Sequence, residues 1–84
     1  MPSPAPRKTY KGWVIDALHA LGPSNPKQVY DWIRAHKAVP AADISGSTSD
    51  GENLFEKTVR WARKDLFDEG TVLSPKRGLW SLRS

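Results

Sequence analysis

The sequence predicts a mostly helical α+β domain, with three helices followed by a C-terminal β-hairpin. Three observations predict it. Apolar residues recur at helical spacing in three segments, each closed by a glycine or a proline. Thr71–Ser74 and Leu79–Leu82 have strand character and flank Pro75-Lys76-Arg77-Gly78, a run of turn formers. Cations gather on the last helix and again on that turn. A cationic helix followed by a cationic hairpin is the layout of a winged helix-turn-helix.

The elements follow in order. Residues 1–8 form a basic, proline-bearing arm without apolar periodicity, read as disordered, and residues 9–84 form the domain. The arm is either a solubilising tail or a segment that touches a phosphate backbone. Thr9 is placed to cap a first helix reaching about Leu21. Val14, Ala17, Leu18 and Leu21 share its inner face, with Tyr10 near it. Gly12 weakens its first turn or permits close packing. Gly22-Pro23 ends it.

Asn25-Pro26-Lys27-Gln28 announces the second helix. Asn25 is a good N-cap, Pro26 suits the first helical position, and Gln28 completes a capping box. Val29, Ile33 and His36 form the inner stripe, flanked by Trp32 and Tyr30. The helix ends near Lys37, ahead of Val39-Pro40. A very short strand around Pro23–Asn25 is faintly marked before it.

Pro40–Gly51 reads as a loop, longer than the turn of a tight helix-turn-helix. Ser49 or Asp50 is placed to cap the third helix, where backbone amides suit a phosphate oxygen. A plain loop and a ligand-contacting loop are both open readings. The third helix runs from about Gly51 to Glu69. Wound at about 100° per residue, it sets Phe55, Val59, Ala62 and Leu66 in one stripe. Asn53, Lys57, Arg60 and Lys64 fall opposite. Gly70 stops it in the position that glycine favours after a helix. In the hairpin, Trp80 is the expected core plug.

Composition bounds the function. The chain has 84 residues, hence one small domain, and no cysteine to brace it with disulfides or thiolate metal sites. Its apolar runs are too short to span a bilayer. No hydrophobic signal region opens the sequence, so a cytoplasmic address and no membrane partner are expected. His19 and His36 lack metal-binding context, the serines lack a His/Asp pattern, and SGSTSDG lacks the lysine of a phosphate loop. No catalytic residue, metal or cofactor is expected, and the chain reads as a binding module rather than an enzyme.

The net charge is +4, and seven of the thirteen cations lie in the last third of the chain. From Lys57 to Lys64 there are four basic residues and no acidic one. A helix with its side chains is about as wide as a DNA major groove. Double-stranded DNA is therefore the expected partner. Lys57, Lys64, Lys76 and Arg77 would neutralise phosphates. Asn53 and Arg60 would read bases, since Asn pairs bidentately with adenine and Arg with guanine. Ser49 would add a contact from the loop. Trp61 is expected to pack beneath the hairpin against Trp80 or Leu79; the alternative is exposure, with a flat ring offered to a base. A protein-interaction or dimerisation role for the same surface is the competing reading.

The tail VRWARKDLFDEGTVLSPKRGLWSL resembles the N-terminal winged-helix domain of Mrr-type restriction endonucleases. The matching pattern is Arg60-Trp61-Ala62, then Leu66, Gly70, and Ser74, Arg77, Gly78 and Trp80. The segments ALHALG and QVYDWI extend the likeness over about residues 8–82. The resemblance implies a recognition module for modified DNA, carrying methylated adenine or methylated cytosine. It also implies a fused or associated nuclease domain.

Overall fold

The computed structural model describes residues 7–46, 51 and 53–83. The chain runs α1 (Arg7–Leu21), α2 (Pro26–His36), α3 (Ala41–Ser45), α4 (Leu54–Asp68), β1 (Val72–Lys76) and β2 (Leu79–Leu82). The three long helices and the antiparallel hairpin form a winged helix.

The capping box of α2 forms as the sequence predicts. Asn25 Oδ1 accepts from the Gln28 amide at 2.9 Å, and Gln28 Oε1 accepts from the Asn25 amide at 3.0 Å. Two of the orphan donors at the helix start are thereby satisfied. The faint strand is also real, although reduced to one bridge. Ser24 donates to the Trp80 carbonyl at 2.9 Å and accepts from the Trp80 amide at 2.8 Å. This fixes the hairpin to the α1–α2 junction.

The core lies where three helical stripes and the hairpin meet. Tyr10, Val14, Ala17 and Leu18 come from α1, and Val29, Tyr30 and Ile33 from α2. Phe55, Val59, Ala62 and Leu66 come from α4, and Val72 and Trp80 from the hairpin. Trp80 is the plug that was expected, 4% exposed and edge-on to Tyr30. Ion pairs of Lys37 with Asp16 and of Lys11 with Glu69 join α2 and the end of α4 to α1.

Several expectations are corrected. Helix α1 starts at Arg7, ahead of Thr9, so Thr9 is no cap. Leu21 is exposed rather than inner. Gly12 is exposed and an added Cβ would meet nothing, so it serves no close packing. In α2 the inner position expected for His36 belongs to Tyr30. His36 is exposed and stacks on Trp32 with ring centroids 4.4 Å apart.

The segment read wholly as loop contains α3. Its Asp43 is buried and accepts from the Tyr10 hydroxyl at 2.5 Å. A five-residue helix is far below the length that is stable alone. Tertiary contact with α1 and α4 holds it.

Candidate nucleic-acid interface

Helix α4 is fixed at both ends. Asn53 is its N-cap, with Oδ1 accepting from the Glu56 amide at 3.0 Å. The helix therefore begins at Leu54, not near Gly51, with Asn53 in the N-cap position expected for Ser49 or Asp50, which lie outside the described residues. Asn53 Nδ2 also donates to the Ile44 carbonyl at 3.0 Å. Both ends of the amide expected to read adenine are thus turned into the protein. At the far end Gly70 takes φ +81°. Gly70 donates to the Phe67 carbonyl at 3.0 Å and Thr71 to that of Leu66 at 2.9 Å. Those two bonds make a Schellman motif and set the angle at which β1 departs.

With Phe55, Val59, Ala62 and Leu66 facing inward, the outer face carries Lys57, Arg60, Trp61 and Lys64. Together with Arg63 these residues line a shallow depression of about 330 Å³. Trp61 is 43% exposed there. The expectation that it packs under the hairpin is corrected by helix geometry. Arg63, two positions on and about 200° further round, occupies that flank, with its guanidinium 5.4 Å from the Trp80 ring centroid.

Arg60 lies within hydrogen-bonding reach of the Tyr30 hydroxyl. That contact sets the guanidinium beside the phenol oxygen. Burial raises the Tyr30 phenol above its ordinary pKa, with Arg60 acting in opposition. Lys64 approaches Asp68 at 3.5 Å, an exposed pair across one turn that solvent weakens.

The hairpin is tighter than the sequence suggests. Strand β1 continues through Pro75 to Lys76, leaving Arg77-Gly78 as the turn, with Gly78 at φ +75°. The pairs Val72–Leu82, Leu73–Ser81 and Lys76–Leu79 leave one extra residue on β1. That bulge lies at Ser74-Pro75, where proline has no N–H to contribute to a ladder. Lys76 and Arg77 are both exposed.

Of the residues expected to form the site, Lys57, Arg60, Trp61 and Lys64 come together on α4. Lys76 and Arg77 stand apart from that depression on the hairpin. Ser49 lies outside the described residues. Arg63 was missed as a site residue; its spacing of four from Phe67, a cation and a ring on one helical side, was the available signal. Among the described residues no group of three or more His, Cys, Asp or Glu could hold a metal ion. No helix among them is long and apolar enough to cross a membrane.

A family model described as the Mrr N-terminal domain matches residues 10–83. No curated protein and no solved structure matches the chain.

Proposed function

The chain belongs to the Mrr N-terminal domain family, and from that membership we propose that it is a double-stranded DNA-binding module of a restriction system. Helix α4 enters the major groove and the Lys76-Arg77 tip tracks the phosphate backbone. The observation that carries this reading is the depression on α4, where four cations surround a half-exposed tryptophan. Lys57 and Lys64 supply phosphate contacts. Arg60, oriented by Tyr30, is the base reader, because the Asn53 amide is engaged in its cap.

The reading extends to the modification state of the DNA. Trp61 presents an apolar, polarisable ring beside the base-reading arginine, suited to a methyl group on a base edge. Methylated adenine is the preferred cue and methylated cytosine the second. Catalysis belongs to a fused or associated nuclease domain, and this module contributes recognition without a cofactor.

The test is a fluorescence titration of matched duplexes, unmodified and methylated on adenine or cytosine, at several salt concentrations. With about five phosphates engaged, log K should fall against log salt with a slope of about −4 to −5. Arg60→Ala should weaken preferred duplexes by about 1–3 kcal/mol, while Lys57→Ala should weaken all duplexes alike. A flat salt response would remove the binding mode. Identical titration of methylated and plain duplexes would remove the modification reading alone. A tight dimer that masks Trp61, with no duplex binding at low salt, would establish the protein-interaction role instead.

A further inference from the structure

Arg63 is held differently from the other cations of α4. Its guanidinium carbon sits 5.4 Å from the Trp80 ring centroid and 5.8 Å from that of Phe67. Its Nε is buried without a hydrogen-bond partner. Among the described residues no carboxylate forms an ion pair with it. Two rings therefore orient this side chain while leaving its charge unneutralised. Stacking occupies the faces of a guanidinium, and with Nε buried the two terminal Nη groups are the edge left to meet phosphate oxygens.

Phe67 gains a purpose from the same geometry. It is 46% exposed and stands outside the core cluster. A large apolar ring at that position stabilises little by burial, but it lies one turn beyond Arg63 on the same side of α4. The location of Arg63 matters as well. Winding places it on the flank of α4 that faces the hairpin, between the core stripe and the outward cations. A helix seated in a groove turns its outward face to base edges and its flanks to the phosphate walls.

We propose that Arg63 is a backbone-phosphate contact at the junction of α4 and the hairpin, and that Phe67 is its positioning residue. This rests on the duplex-binding reading above. Trp80 serves both the core and this contact, so seating of the hairpin and aiming of the arginine are one event.

The experiment titrates the full chain and its Arg63→Ala, Arg63→Lys, Phe67→Ala and Phe67→Tyr variants with two unrelated duplexes over a salt series. Arg63→Ala should weaken both duplexes equally, about tenfold at low salt, and reduce the salt slope by about 1. Phe67→Ala removes no charge, yet should weaken both duplexes several-fold at an unchanged thermal midpoint. Phe67→Tyr should restore binding, and Arg63→Lys should keep the slope while losing part of the affinity. If the parent binds with a steep salt slope and Phe67→Ala matches it throughout, the proposal is overturned and duplex binding stands. Loss confined to one duplex would make Arg63 a base reader and overturn the phosphate assignment. If the parent itself binds no duplex, the underlying reading fails first. Should Arg63→Ala fail to fold, the Phe67 pair and Arg63→Lys still decide.

Discussion

Tyr10 joins two parts of the molecule that are far apart in sequence. Its ring packs against Trp13 and Phe55, with centroids at 4.9 and 5.9 Å, and its hydroxyl donates to Asp43. Removing the hydroxyl leaves a buried carboxylate oxygen without that donor, an imbalance costing about 1–3 kcal/mol. Tyr10→Phe should accordingly lower the unfolding free energy by that amount, read as a lower urea midpoint at unchanged m. The two tyrosines also set a pH limit. Burial pushes both phenols above their ordinary value, and the Asp43 contact pushes Tyr10 further. A raised folded-state pKa means the fold favours the neutral phenol. That contribution is complete below about pH 10, the unfolded value, and is lost as pH climbs from there toward the folded values. Absorbance titration of the native protein should show less phenolate at pH 10 than the urea-unfolded chain, which should titrate there.

The helix ends show what a sequence yields and what it withholds. Asn25 and Gln28, or Gly70 after Leu66, act through neighbours within a few residues, so their roles are readable without the fold. The outward position of Lys57, Arg60 and Lys64 is readable for the same reason, from periodicity alone. Asn53 was ambiguous because asparagine serves equally as N-cap and adenine reader. Glu56 three residues later was the clue for the cap. The structure gives Asn53 the cap, so Asn53→Ala should cost about 1 kcal/mol of stability while leaving duplex affinity at low salt near the parent value. Helix α3 and the stacking of Arg63 on Trp80 were not legible. Each depends on a partner brought close only by tertiary folding: Tyr10 for Asp43, and Trp80 for Arg63. Trp61 was misassigned because the side of α4 covered by the hairpin depends on the Gly70 turn, which no local pattern specifies.

At the scale of the molecule, charge and topology act together. A net charge of +4 draws the domain to any polyanion, and the hairpin places two further cations away from the α4 depression. The hairpin is no loose appendage, because Ser24 binds Trp80 through both of its backbone groups. That bridge has a consequence for biogenesis. A ribosome releases the polypeptide amino end first, so every helix leaves it before the partner of Ser24 does. Until Trp80 emerges, the ring of Tyr30 lacks its cover, and the Ser24 amide and carbonyl lack the mates that burial demands. Maturation of this domain is therefore a single late event, governed by delivery of one strand rather than by stepwise accretion of helices.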